Sequence, residues 1–182
     1  MGELDLHAVV LAGGSGTRFW PLSTPERPKQ FLALFDDRSL LRHAVDRLLP
    51  LMPPTNIWIS TGANLVDAAR AELPMLPASQ FVIEPEARNT LPCIGLACAR
   101  VREANADAVV AIVCADHLIR REDEYRALLN DAAASAMASG DLTTFGIRPT
   151  RPETGYGYVR YEGTATRVGQ HDVYKVAEFA EK

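Results

Sequence analysis

Residues 7–18 read His-Ala-Val-Val-Leu-Ala-Gly-Gly-Ser-Gly-Thr-Arg, and the architecture of the chain can be worked out from this segment. Its first half, 7–12, is a short continuous apolar run, which is typical of a strand buried on both faces. Glycines follow, and the segment from Gly13 to Arg38 has no sustained periodicity. A long irregular segment inside a domain usually carries function. The sequence therefore predicts a buried strand followed by a functional loop.

Beyond this loop, apolar runs alternate with amphipathic segments. Helices are predicted at 40–49, 65–73, 90–101 and 122–139, and strands at 56–60, 81–83 and 108–113. The run 108–113 is apolar at every position, so we expect it to be buried on both faces of a parallel sheet. The alternation indicates an α/β fold with a doubly wound, mostly parallel, Rossmann-like sheet and helices on both faces.

The pattern changes after residue 142. Three further strands are predicted with little helix between them, at 143–147, 157–161 and 173–179. Nothing in the composition marks a linker, so the 182 residues are predicted to form one domain. The net charge of −4 excludes nucleic-acid or membrane binding through bulk positive charge. Three cysteines without a CxxC motif predict no disulfide framework, and the first residues lack signal-peptide features, so we expect a cytoplasmic protein.

The glycine cluster Gly13, Gly14 and Gly16 lies where open α/β sheets bind ligands. Glycine lets backbone N–H groups approach phosphate oxygens closely, and Arg18 adds a guanidinium suited to bidentate phosphate binding. The spacing fits neither a Walker loop, which needs Lys followed by Ser or Thr, nor the dinucleotide fingerprint, which needs glycine where Phe19 stands. From these residues alone, a phosphate site and a plain tight turn both remain open.

A longer motif extends from this loop. It reads Leu11-Ala12-Gly13-Gly14-Ser15-Gly16-Thr17-Arg18-Phe19-Trp20-Pro21-Leu22-Ser23, followed by Pro28-Lys29-Gln30-Phe31. Further segments belong with it, at 84–90, 115–117, 146–158 and 179–182. Together these motifs resemble, in order, the sugar-phosphate nucleotidyltransferases, and within them the bacterial mannose-1-phosphate guanylyltransferases. The resemblance covers essentially the whole chain.

The resemblance implies transfer of GMP from GTP to mannose 1-phosphate, giving GDP-mannose and pyrophosphate, with Mg²⁺ as cofactor. The sugar phosphate is itself the nucleophile, so such a protein must neutralise charge and align reactants rather than supply a nucleophile. The implied nucleotide-binding residues are Leu11, Ala12, Gly13, Gly14, Ser15, Gly16, Thr17 and Arg18, together with Glu84, Asn89 and Thr90. Among them, Arg18 is implied to be catalytic because it would stabilise the leaving pyrophosphate.

Two further side chains are implied to be catalytic. Lys29 would neutralise charge around the α-phosphate, with a solvated loop lysine as the alternative. Asp116 follows the apolar run 108–113, so its carboxylate should emerge at the end of that strand, where Mg²⁺ is expected. An Asp that only caps a turn is the alternative there. For His117, direct contact with the ligand and a structural role or action through a neighbour both stay open, and Cys114 stands where the family usually has proline.

The sugar-phosphate side is implied to use Tyr156, Gly157, Glu181 and Lys182. The first two also fit a hairpin or bulge, and sequence alone does not separate these interpretations. Glu181 and Lys182 match the first two residues of the family's Glu-Lys-Pro motif, and the family's sugar site uses residues beyond it. The resemblance therefore implies that residues 1–182 are the N-terminal portion of a nucleotidyltransferase domain, with part of its sugar-binding side absent.

Two other interpretations stay open. The chain could bind GTP without efficient turnover, or it could act on another sugar phosphate or another base. GTP and mannose 1-phosphate are the expected partners, nucleic acid and membrane are not, and a homo-oligomer is left open.

Overall fold

The computed structural model describes residues 4–14, 19–86 and 88–181. Its strands are β1 (Leu6–Leu11), β2 (Ile57–Gly62), β3 (Phe81–Glu84) and β4 (Val109–Cys114), followed by β5 (Tyr158–Val168) and β6 (His171–Ala180). Its helices are α1 (Leu40–Asp46), α2 (Val66–Glu72), α3 (Thr90–Ala104) and α4 (Glu122–Ser139). The predicted α/β class is confirmed. Helix α1 is shorter than the predicted 40–49, because the chain continues as turns after Asp46.

The first four strands form one parallel sheet in the order β3-β2-β1-β4. The chain therefore runs outward in one direction from β1 to β3 and then crosses back to place β4 on the other side of β1. Ligands of open α/β sheets bind in the crevice at such a switch point, beyond the carboxyl ends of the strands. Here those ends are Leu11 of β1 and Cys114 of β4, which are paired in register.

The central strands of the sheet are covered on both faces, because their side chains are buried on each side. On one face, Val9 and Trp58 pack with Val101 of α3. On the other face, the neighbouring residues Val10 and Ile59 are fully buried as well. Apolar side chains at consecutive positions are thus all removed from water, as the continuous run 7–12 predicts.

Strand β4 differs from the prediction. It pairs with β1, and within the described residues it has no strand on its other side. Several of its side chains are partly exposed, with Ile112 at 38%. The expectation that 108–113 is buried on both faces is therefore wrong for the chain as described. Burial of an apolar strand depends on the elements beside it, which its own residues do not specify.

The chain divides into two compact units, residues 1–126 and 127–182. The second unit contains the antiparallel pair β5 and β6, joined by a turn in which Gly169 has a φ of 54°. The predicted strand 143–147 is wrong, because this segment pairs with no strand among the described residues and Ile147 is 86% exposed. The prediction of a single domain over residues 1–182 stays a prediction. None of the described helices has the length and apolar character needed to cross a membrane.

Candidate functional site

The start of the glycine loop lies directly beyond β1. Ala12 is buried, whereas Gly13 and Gly14 are exposed at the carboxyl edge of the sheet. The loop residues Ser15, Gly16, Thr17 and Arg18 lie outside the described residues, so the roles implied for them stay predictions. The described part of the loop therefore lies at the edge of the sheet where ligands of this fold class bind.

Two residues implied to be catalytic, Lys29 and Asp116, contact each other. Lys29 begins a short 3-10 helix (Lys29–Phe31), and Asp116 follows β4. The Lys29 Nζ donates a hydrogen bond to Asp116 Oδ2, forming an ion pair between residues 87 positions apart. Both side chains are partly exposed, at 21% and 30%. A cation from the 3-10 helix and an anion from the end of β4 thus meet at one solvent-accessible position.

The ion pair alters the titration of Asp116. Burial acts to raise the pKa of this carboxyl group, but the hydrogen bond and charge of Lys29, helped by His117, hold it below its ordinary value of 3.8. A carboxyl pKa that is lower in the folded state stabilises the fold above the unfolded-state pKa. This contribution is lost as the pH falls through the folded-state pKa.

Asp116→Asn is therefore expected to lower the free energy of unfolding at pH 7 by about 0.2–1 kcal/mol, as is typical of partly exposed ion pairs. The difference from wild type should shrink as the pH falls below the ordinary value of 3.8. Urea unfolding measured from pH 7 to pH 3 checks this. The exposed Asp67 on α2 offers a matched Asp67→Asn control. A difference for Asp116→Asn that is constant over this range would contradict the assignment.

The side chain of Gln30 holds the start of the glycine loop in place through hydrogen bonds. Its side chain is buried, and its Nε2 donates to the carbonyl oxygens of Ala12 at 2.8 Å and of Gly14 at 3.3 Å. The Thr61 hydroxyl donates to the same Ala12 oxygen at 3.2 Å. The motif 28–31 contains Gln30, but the sequence predicted no role for it. The signal that could have revealed its role was an amide side chain next to the apolar Phe31.

Because Gln30 and Thr61 donate to the same carbonyl oxygen, we expect the effects of replacing them on stability to be coupled. Gln30→Met and Thr61→Val are each expected to cost about 1–2 kcal/mol of unfolding free energy, because one donor to the Ala12 carbonyl remains in each variant. In the double variant that buried carbonyl loses both side-chain donors. We expect the combined loss to exceed the sum by at least about 0.5 kcal/mol in a double-mutant cycle. Strict additivity would contradict the shared contact.

Glu84 lies beside the glycine loop. It is the last residue of β3, and its Oε1 accepts a hydrogen bond from the Ser60 hydroxyl at 3.3 Å. A Cβ placed on Gly13 would lie 2.8 Å from that Oε1, so a side chain there would have to displace the carboxylate. The buried thiol of Cys93 in turn donates to Ser60 Oγ at 3.1 Å. A hydrogen-bonded chain from α3 thus orients the Glu84 carboxylate next to the loop.

Asn89 and Thr90 begin α3 on the same side of the sheet as Glu84. Asn89 precedes the helix with a φ of 62°, and its side chain makes no capping hydrogen bond. Its ψ of −169° places it outside the left-handed helical region, in a conformation that is adopted almost only by glycine. Thr90 is the first helical residue, and both side chains are exposed. The structure therefore leaves these two polar side chains exposed to solvent at the start of α3.

Arg47 is a residue that sequence reasoning missed. Its side chain is only 1% exposed, and both terminal guanidinium nitrogens donate to the His117 carbonyl oxygen, at 3.3 and 3.4 Å. The guanidinium lies 5.5 Å from the ring centroid of Tyr125, and its Nε has no hydrogen-bond partner among the described residues. Desolvation lowers the pKa of Arg47. Arg47 thus holds the backbone one residue beyond Asp116, and its position between the apolar residues Val45 and Leu48 was the available signal.

The second unit contains the residues implied on the sugar side. A cleft of about 810 Å³ is lined by the loop 149–154 and by Tyr156, Tyr158, Ala180 and Glu181. Gly157 lies directly before β5, where a Cβ would be 3.2 Å from the Ala180 carbonyl oxygen. The cleft therefore brings together Tyr156 and Glu181, whereas Lys182 lies outside the described residues. The hairpin interpretation of the Tyr156-Gly157 pair also fits this placement.

Comparisons with known proteins identify the family of the chain. The profile of the family described as Nucleotidyl transferase matches residues 7–182. The chain is 40% identical over 178 residues to mannose-1-phosphate guanylyltransferase RfbM of Salmonella typhimurium, covering 96% of this chain and 36% of that protein. It is 39% identical to mannose-1-phosphate guanylyltransferase of Escherichia coli K12, covering 100% of this chain and 38% of that protein. The chain thus spans less than two-fifths of the length of these relatives.

Similar proteins are also found among solved structures. The structure of mannose-1-phosphate geranyltransferase from Thermus thermophilus matches with a TM-score of 0.81 and 34% identity, over 98% of this chain and half of that one. A UDP-glucose pyrophosphorylase structure matches with a TM-score of 0.52 at 18% identity, which indicates a shared fold.

Proposed function

Because the chain belongs to the nucleotidyl transferase family, we propose that it carries the nucleotide-binding side of a mannose-1-phosphate guanylyltransferase. The complete reaction would transfer GMP from GTP to mannose 1-phosphate and release pyrophosphate. The observation that carries this proposal is the Lys29–Asp116 ion pair, whose carboxylate follows the end of β4, next to β1 at the switch point of the sheet. A cation, a carboxylate and exposed backbone beside one crevice are the groups that phosphoryl transfer requires.

The donor set at this position fits Mg²⁺. Mg²⁺ is usually bound through one or two carboxylates together with substrate phosphates and water, and Asp116 supplies one partly exposed carboxylate. When bound, Mg²⁺ would neutralise phosphate charge. Divalent metal use is a general property of this family, and the choice of Mg²⁺ is part of this proposal.

The protein's own groups bind and align the reactants. Lys29 contributes positive charge next to the α-phosphate, and the backbone of the glycine loop donates hydrogen bonds to phosphate oxygens. Gln30 holds this backbone by donating hydrogen bonds to the carbonyl oxygens of Ala12 and Gly14. The phosphate of the sugar substrate is the attacking group, so no side-chain nucleophile is required.

Selection of the base is assigned to Glu84. A carboxylate accepts hydrogen bonds from the N1–H and amino group of guanine, a donor pair that uracil and thymine lack. The place of Glu84 beside Gly13 supports this role, because the base and the triphosphate belong to one nucleotide. Asn89 and Thr90 are assigned to the same nucleotide, since they follow β3 on the same edge.

The sugar side is assigned to Tyr156, Gly157, Glu181 and Lys182. The cleft that contains Tyr156 and Glu181 supports this assignment, because it offers a carboxylate and an aromatic ring to a polyhydroxylated ligand. A cytoplasmic location is proposed because GTP, the expected donor, is a cytoplasmic nucleotide.

The proposal is tested with the protein expressed from its complete gene. We expect GTP, mannose 1-phosphate and Mg²⁺ to yield pyrophosphate and GDP-mannose in equal amounts, with much slower reaction when UTP, dTTP or glucose 1-phosphate is substituted. Isothermal titration with GTP, run in parallel, separates binding from transfer. Tight GTP binding without pyrophosphate release would favour a nucleotide-binding protein, and a preference for dTTP or UTP would refute the assignment of the base.

Arg18→Ala provides a sharper test of the glycine loop. The proposed contact of Arg18 is with the terminal phosphates, so the variant should bind GTP roughly 10- to 100-fold more weakly while its affinity for GMP changes little. This range corresponds to loss of one charge-assisted hydrogen bond. The exposed Arg70 on α2 provides an Arg70→Ala control. Equal losses for GTP and GMP would place Arg18 away from the terminal phosphates.

A further inference from the structure

Three side chains of different chemistry converge at the end of β4. They are the Cys114 thiol, the Asp116 carboxylate and the His117 imidazole, and one ligand atom of each lies within 4.8 Å of the other two. The proposed reaction uses Asp116 and leaves Cys114 and His117 without a chemical task. Cys114 also stands where the resemblance leads one to expect proline, so this thiol is a feature of this chain.

The geometry follows from the end of the strand. Cys114 is the last residue of β4, and the chain turns at Ala115 and Asp116, which brings positions 114, 116 and 117 to one side. Arg47 fixes this turn by donating two hydrogen bonds to the His117 carbonyl. The cluster is therefore held by the buried part of the fold, and its imidazole is exposed to solvent.

The donor set suits a different class of cation from Mg²⁺. Thiolate and imidazole are ligands of Zn²⁺ and Co²⁺, whereas Mg²⁺ takes oxygen ligands. Tetrahedral Zn²⁺ with bonds of about 2.0–2.3 Å places its ligand atoms roughly 3.5 Å apart. The three atoms would have to approach one another by at most about 1.3 Å, a distance that rotation of the side chains can cover.

We propose that Cys114, Asp116 and His117 form a binding site for a thiophilic divalent cation such as Zn²⁺ or Co²⁺. Binding replaces the thiol proton, which is released to solvent, and leaves at least one coordination position for water. The ion takes the carboxylate that otherwise contacts Lys29. If the proposed nucleotidyl transfer is correct, Zn²⁺ then competes with Mg²⁺ at Asp116 and inhibits the reaction.

Cobalt provides a direct test that does not depend on activity. Titration of the purified protein with Co²⁺ should produce a thiolate-to-cobalt charge-transfer absorption, which one equivalent of Zn²⁺ abolishes. Cys114→Ser should lose this absorption, and His117→Ala should bind Co²⁺ at least roughly tenfold more weakly, since even groups that only support metal ligands are worth 10- to 100-fold. Cys98→Ser is the matched control, because Cys98 lies on α3 outside the cluster.

The outcomes are distinct. Absence of the charge-transfer absorption in the wild-type protein, its persistence in Cys114→Ser, or its loss in Cys98→Ser would each overturn the site. An absorption that depends on Cys114 and His117 supports it, whether or not the protein transfers nucleotides. Inhibition by micromolar Zn²⁺ that is relieved in Cys114→Ser would in addition connect the site to the proposed reaction.

Discussion

Replacing Asp116 with asparagine is expected to lower the turnover number for pyrophosphate release by at least about 100-fold without unfolding the protein. Asparagine keeps the size of the side chain but removes the charge that holds both Lys29 and the proposed Mg²⁺. Loss of one electrostatic contact to a reacting phosphate group typically costs 10²–10³ in rate. Partial recovery at high Mg²⁺ concentration is expected, because the remaining ligands still bind the metal weakly.

The measurement compares steady-state rates at several Mg²⁺ concentrations for the wild type, Asp116→Asn and Asp67→Asn. Asp67 carries the same charge on an exposed position of α2, so its replacement controls for net charge. Circular dichroism verifies that both variants are folded. Turnover of Asp116→Asn within twofold of wild type would remove Asp116 from the catalytic assignment.

Replacing Arg47 with methionine is expected to lower turnover about 10- to 100-fold, although Arg47 is proposed to contact no substrate. Its two hydrogen bonds hold the carbonyl of His117, and without them the turn that presents Asp116 can shift. A displacement of about 1 Å at a group that positions a reactant can cost roughly a hundredfold in rate. The apparent affinity for Mg²⁺ should fall together with the rate.

The same substitution should change stability little. Methionine keeps the aliphatic volume, and it removes a buried cation that forms no ion pair among the described residues and whose Nε has no hydrogen-bond partner there. Relief of that desolvation cost offsets the lost hydrogen bonds, so we expect a change within about 2 kcal/mol. Arg42→Met is the control, because Arg42 lies on α1, five residues before Arg47, and contacts Asp46 instead. Equal rates for Arg47→Met and Arg42→Met would refute the positioning role.

Much of the candidate site could be predicted from local sequence. The apolar run 7–12 and the glycines after it predicted a strand followed by an irregular loop, and β1 and Gly13 lie there. The run 108–113 likewise predicted that Asp116 emerges at a strand end, as it does beyond β4. These predictions succeeded because strand formation and side-chain direction depend on a few neighbouring residues.

Predictions that depended on neighbouring elements were less successful. The segment 143–147 has the composition of a strand but pairs with none in the described chain, and β4 is partly exposed along one edge. A strand is stabilised by hydrogen bonds to a second strand and by the elements that cover it. Those contributions come from residues distant in sequence, so an apolar pattern alone does not reveal whether they are present.

The α/β class, the order of the elements up to residue 139 and the resemblance to nucleotidyltransferases are all evident from the sequence, because periodicity and contiguous motifs are local properties of a chain. Three contacts are evident only in the folded chain: Lys29 pairs with Asp116, Gln30 holds the carbonyls of Ala12 and Gly14, and Arg47 is buried against the backbone of His117. The partners in these contacts lie 16 to 87 positions apart. A hydrogen bond requires its atoms to lie about 3 Å apart, and over such separations that proximity is set by the packing of the sheet and its helices.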